Sequence, residues 1–95
     1  MSGDLVLCVD LGTGGPKVGL VTEAGDIVDA ERHGVETRVS PDGAATQDAA
    51  RWWELITGSA RRMIARVEGA PRRVRAVSVT GQWASTVPVD ANGVP

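Results

Sequence analysis

The chain has 95 residues, a net charge of −2 and a single cysteine. That length holds one small domain, which buries only about two-thirds of its unfolded surface, marginal for a free-standing enzyme. The charge leaves no basic footprint for nucleic acid or for an anionic membrane surface, and neither is expected as a partner.

Asp4 stands where a signal peptide carries basic residues, and the first apolar run is only a strand long, so neither a signal peptide nor a membrane span is expected. That run, residues 5–9, reads as a strand buried on both faces. It contains Cys8, which has no internal disulfide partner and reads as a small core residue in a reducing cytoplasm. The run ends at Asp10, and Gly12, Thr13, Gly14, Gly15 and Pro16 follow. A second strand over residues 18–22 starts directly after Lys17, which puts the glycines at the tip of a β-hairpin. A Rossmann fingerprint or a P-loop needs a helix there, so both are excluded. Backbone N–H groups at such a tip form a concave nest for phosphate oxygens. Thr13 adds a hydroxyl, Lys17 a positive charge, and Asp10 at the strand end a carboxylate suited to magnesium. Read from the residues alone, an ordinary tight turn beside a water-facing acid is an equal alternative.

Glu23-Ala24-Gly25-Asp26 makes a turn, and residues 27–32 alternate as a half-exposed strand does, completing an antiparallel three-stranded meander. His33, the one histidine, reads as a surface residue and receives no role. Residues 34–47 carry a turn signature at Ser40-Pro41-Asp42-Gly43 and read as a connecting loop. Asp48 is a helix N-cap, and the helix is expected over residues 49–68, with Gly69 and Pro71 as stop signals. Trp52, Ile56, Ala60, Met63 and Val67 form its apolar stripe, and Arg51, Arg61, Arg62 and Arg66 lie off it on a solvated face. Trp52 and Trp53 point about 100° apart, so one packs inward and the other covers a loop. Period two returns over residues 74–79, a fourth strand. Gly81-Gln82-Trp83 follows, then a short edge strand over residues 86–89 and a hairpin turn at Asp90-Ala91-Asn92-Gly93. Gln82 offers donors and acceptors to hydroxyl groups and Trp83 an apolar face for a sugar ring, although from the residues alone a plain turn is slightly favoured.

Asp10-Leu11-Gly12-Thr13-Gly14-Gly15-Pro16-Lys17 resembles the first phosphate motif of the FGGY-type carbohydrate kinases, members of the actin-like ATPase superfamily. Gln47-Asp48-Ala49-Ala50-Arg51-Trp52-Trp53 and Val79-Thr80-Gly81-Gln82 resemble two later family motifs, in the family's order and at about its spacing. The resemblance covers essentially the whole chain. It implies an α/β, ribonuclease-H-like fold in partial form: meander, helix, further strand and hairpin. It also implies that residues 1–95 are the N-terminal part of the first kinase domain, inactive alone, with the general base, the second phosphate motif and the adenosine pocket lying outside them.

The activity so implied is ATP-dependent phosphorylation of a sugar or polyol hydroxyl in the cytoplasm. Asp10 would hold Mg2+, and Gly12, Thr13, Gly14, Gly15 and Lys17 would cradle the ATP phosphates. Family members contact the sugar with residues after the Gly-Gln pair, which puts Gln82, Trp83 and Ala84 at the acceptor. Xylulokinase-like members carry Gln-Met-His there and glycerol-kinase-like members Gln-Arg-Glu, whereas Gln82-Trp83-Ala84 lacks the third polar group. Residues 79–95 are more similar to the xylulokinase branch. Two other functions fit the same pattern: an actin-like ATPase that does not respond to polyols, and a non-catalytic binding or pseudo-kinase module that covers its bare sheet edge by homo-oligomerising.

Overall fold

The computed structural model describes residues 3–95. In chain order the elements are β1 (Leu5–Gly12), β2 (Gly15–Thr22), β3 (Ile27–Arg32), β4 (Arg38–Val39), β5 (Ala45–Thr46), α1 (Ala49–Arg66), α2 (Ala70–Arg73) and β6 (Val74–Gly81). The main sheet has the order β3-β2-β1-β6, with β1 antiparallel to β2 and parallel to β6, and β2 antiparallel to β3. The expected meander, helix and fourth strand are all present.

Alternation decides which face is covered. Leu5 and Val9 on β1 share a face with Val18 and Leu20 on β2, and these four are buried together with Met63 of α1 and Ala70 of α2. β1 is therefore buried on one face, not on both as its unbroken apolar run suggests. Cys8 lies on the opposite face and is half-buried, outside the core. The helix is seated mainly over β2, so Val77 and Val79 on β6 remain exposed.

Asp48 caps α1 through Oδ1, which accepts from the backbone N–H of Ala50 and Arg51. The helix ends at Arg66, and Gly69 takes a left-handed φ of 71° before Pro71 opens the short α2. The buried line of α1 is Leu55, Ser59 and Met63, so the apolar stripe is rotated from the one expected, and Trp52, Ile56 and Ala60 flank it half-buried. Trp53 is exposed.

Two of the arginines expected on a solvated face instead tie the helix to β3. Arg62 donates to Glu31 at 2.7 Å and Arg66 donates to both Asp29 and Glu31. Glu31 and Asp29 pair in register with Val18 and Leu20, which aims them at the helix side. Arg73, partly exposed, donates to the carbonyls of Gly3 and Glu68.

Residues 34–47 are not featureless. β4 and β5 form a small hairpin around the Ser40–Gly43 turn, closed by Ser40 N–H to the Ala44 carbonyl at 2.8 Å and by the Ser40 hydroxyl on Asp42. Residues 86–89, expected as an edge strand, are irregular because they pair with no other segment. The Asp90 turn does form, with its carboxylate accepting from the N–H of Asn92 and Val94. Among the described residues no helix is long and apolar enough to cross a membrane.

The Glu31 pairings set an acid limit to stability. The hydrogen bond from Arg62, aided by His33 and the charges of Arg62 and Arg66, holds the Glu31 carboxyl at about 2, below its ordinary 4.5. A depressed folded value gives stabilisation that is complete above the unfolded value and fades as pH falls towards the folded one. Thermal unfolding followed by circular dichroism should therefore show stability falling between pH 4.5 and about 2. Glu31→Gln should flatten that slope, and an unchanged slope would show that the pairing contributes nothing.

Candidate functional site

The β1–β2 register brings Gly12 opposite Gly15 and leaves Thr13-Gly14 as a two-residue turn. Asp10 and Lys17 face each other across the same ladder, on the sheet face away from α1. Lys17 Nζ lies 3.8 Å from Asp10 Oδ2, and both side chains are about half exposed, so neither is committed to the core. Arg32 pairs in register with Lys17 and adds a second cation beside the tip. A cleft of about 400 Å3 is lined by Gly12, Thr13, Gly14, Lys17, Arg32 and His33, among others.

The glycines of the tip do different jobs. Nothing lies within 4 Å of where a Gly14 side chain would start, so its backbone is open to an approaching group. Gly15 is buried at a φ of +131°, and a Cβ there would meet the His33 carbonyl oxygen at 2.0 Å. Its lack of a side chain serves the packing of the hairpin against residues 33 and 34. Backbone bonds from Val35 to Gly14 and from His33 to Pro16, both 3.0 Å, hold the same contact.

The β1–β6 register carries Gln82 to the tip. Thr80 lies beside Asp10 and Gly81 beside Leu11, and the Gln82 N–H donates to the Leu11 carbonyl at 2.8 Å. A Cβ on Gly81 would be 3.3 Å from that carbonyl, so the close approach favours glycine. The Thr13 hydroxyl then donates to Gln82 Oε1 at 3.1 Å. From the other side Gln47 Nε2 donates to the Thr13 carbonyl at 2.7 Å and to Thr37 Oγ1 at 2.8 Å, while Gln47 Oε1 accepts from Trp52 Nε1 at 3.0 Å. A second cleft, about 550 Å3, is lined by Thr13, Gln47, Trp52, Gln82, Thr86 and Pro88, among others.

The structure thus brings Asp10, Lys17, Thr13 and Gln82 to one end of the sheet. Trp83 is 94% exposed and Ala84 takes a left-handed φ of 59°, and neither lines the clefts at the tip. Gln47, Thr37 and Arg32 were not singled out by sequence reasoning as site residues. Gln47 stood in a quoted motif without a role, and Arg32 could have been reached by counting two-residue steps along paired strands. Asp10 lines a neighbouring cleft with Lys17, Arg32 and Glu31, and among the described residues no three potential ligands cluster around a metal position. A single carboxylate suits magnesium, which completes its shell with water and phosphate oxygens, better than a metal that needs an all-protein cage.

A family model for the N-terminal domain of the FGGY family of carbohydrate kinases matches residues 5–95. Xylulose kinases from two strains of Staphylococcus epidermidis are each 28% identical over 92 residues, spanning 97% of this chain and 18% of theirs. The crystal structure of a xyloylose kinase from Brucella ovis superposes with a TM-score of 0.81 at 25% identity, over 94% of this chain and 19% of that one. The chain therefore spans less than a fifth of the length of these relatives.

The contact of Gly15 with the His33 carbonyl generates a direct expectation. Gly15→Ala should destabilise the fold by about 2 kcal/mol or more, through backbone strain and overpacking together. Gly14→Ala, with open space around it, should cost far less. Urea midpoints for the two variants check this, and equal midpoints would contradict the packing role of Gly15.

Proposed function

The chain belongs to the FGGY family of carbohydrate kinases, and on that premise we propose that it forms the N-terminal part of the first domain of an enzyme phosphorylating a sugar or polyol with ATP. The observation that carries this reading is the Thr13–Gln82 hydrogen bond. It joins a glycine-rich hairpin suited to phosphate with a strand-end amide suited to hydroxyl groups, so a donor and an acceptor would meet at one sheet end.

Each residue has a task in that reading. The backbone N–H groups of Thr13 and Gly14 and the Lys17 ammonium contact the phosphates of ATP, with Gly12 and Gly15 shaping the turn, while the Thr13 hydroxyl keeps its one proton on Gln82. Asp10 holds Mg2+, which when bound neutralises charge on the phosphoryl oxygens. Lys17, 3.8 Å from Asp10, balances that carboxylate until the phosphates arrive. Gln82 spends Oε1 on Thr13 and keeps Nε2 free to donate to an oxygen of the acceptor. The base that takes the acceptor's proton comes from outside these 95 residues. Xylulose, named in the relatives, is the first acceptor to test. Ala84 offers no polar side chain to it, so recognition there rests on Gln82 and on residues beyond this chain. Use of ATP and a single half-buried thiol fit a cytoplasmic enzyme.

In the complete protein, ADP formation should rise on addition of xylulose or a related ketose or polyol. Asp10→Ala should lower that turnover by about a hundredfold or more. No response of the unmodified protein to any such acceptor would overturn the kinase reading, and near-normal turnover of the variant would remove Asp10 from it.

A further inference from the structure

Gln47 stands at the junction of three elements. It directly precedes Asp48, the N-cap of the 18-residue helix α1, so its backbone is anchored to the most regular element packed on the sheet. Its amide orientation is not free. The indole N–H of Trp52 can only donate, so the atom 3.0 Å from it must be Oε1. Nε2 is thereby turned to its two acceptors, the Thr37 hydroxyl and the Thr13 carbonyl. Both hydrogens of the amide are used, and the shorter bond, 2.7 Å, ends on the hairpin tip.

Thr13 is consequently gripped from both sides, its carbonyl by Gln47 and its hydroxyl by Gln82. The strand ladder closes the turn at Gly12 and Gly15, and backbone bonds from Val35 to Gly14 and from His33 to Pro16 hold its second half, but Gly14 has open space around it and among the described residues the side-chain bonds to the turn are those on Thr13. A two-residue turn containing glycine has many accessible conformations, and a side-chain bond to its carbonyl selects among them.

We propose that Gln47 is a positioning residue: oriented by Trp52, it fixes the Thr13-Gly14 turn and, through Thr13, sets Gln82, so that donor-side and acceptor-side groups keep one spacing. The claim rests on the kinase reading for its kinetic consequence and on geometry alone for its structural one. Both amide hydrogens and the amide oxygen of Gln47 are engaged by protein partners, so its effect on the reaction runs through Thr13. Misplacement of a turn by about 1 Å costs a phosphoryl transfer up to roughly a hundredfold, because alignment is most of what such a site supplies.

Gln47→Glu tests this with almost no change in shape. It leaves an acceptor for Trp52 but sets a carboxylate oxygen against the Thr13 carbonyl. Trp52→Phe keeps a ring and removes the N–H, which frees the amide to flip. In the complete protein, hydrogen exchange of the peptide spanning residues 11–17 should become severalfold faster in both variants. With ATP and the acceptor, kcat should fall between about tenfold and a hundredfold in Gln47→Glu and the KM for ATP should rise, with less change in Trp52→Phe. Unchanged exchange over residues 11–17 would overturn the proposal, as would faster exchange with unmodified kcat and KM. A lower melting temperature alone, with kinetics and exchange preserved, would show a merely structural glutamine. If the unmodified protein phosphorylates no acceptor, the kinase reading fails, and the exchange comparison still decides whether Gln47 fixes the turn.

Discussion

β1 is hydrogen-bonded along both edges, antiparallel to β2 and parallel to β6, and those two registers place Asp10, Lys17, the glycine turn and Gln82 at the sheet's end. The first sets Asp10 against Lys17 and closes the turn at Gly12 and Gly15. The second delivers Gly81 and Gln82 beside Leu11. Because side chains alternate across a strand, a one-residue slip of β1 against β2 would send Asp10 to the helix side and Leu11 to the open side, and a slip of β6 would displace Gln82. The burial of Leu5, Val9, Val18 and Leu20 under α1 opposes such a slip. The apolar core thus holds the polar end in place without touching it.

The helix contributes to the site from its first turn as well as from its buried stripe. Its packing on β2 is extended by Arg62 and Arg66 reaching Glu31 and Asp29 on β3. These pairs are partly solvated, so each contributes modestly. Together with Met63 they fix the helix's rotation over the sheet. That rotation sets where Asp48 and Gln47 emerge, and hence which carbonyl the Gln47 amide reaches. Packing at Met63 and the geometry of Thr13 are therefore linked through one rigid element.

Strong local signals made much of this legible in the sequence. The Gly-rich tip between two apolar runs located the hairpin, Asp48 located the helix start, and period two from Val74 located β6. Weak or non-local features escaped. β4 and β5 have two residues each and no period to detect. α2 runs Ala-Pro-Arg-Arg, in which Pro71 reads as a helix stop but serves as a helix start. Val87 and Val89 alternate as in a strand, yet strand formation depends on a partner, which spacing does not reveal. The rotation of the α1 stripe to Leu55, Ser59 and Met63 followed from packing, since Ser59 is fully buried and no hydrophobicity pattern selects it. The Gln47, Thr13 and Gln82 chain joins residues 34 and then 69 positions apart, so it could be read only once the fold had brought them together.

The most direct test of the account is a crystal structure of the complete protein with a non-hydrolysable ATP analogue, magnesium and a ketose acceptor. The account predicts terminal phosphate oxygens against Thr13 and Gly14, magnesium on Asp10, and an acceptor oxygen within hydrogen-bonding distance of Gln82 Nε2. Phosphates bound away from the hairpin, or an acceptor with no contact to Gln82, would contradict it.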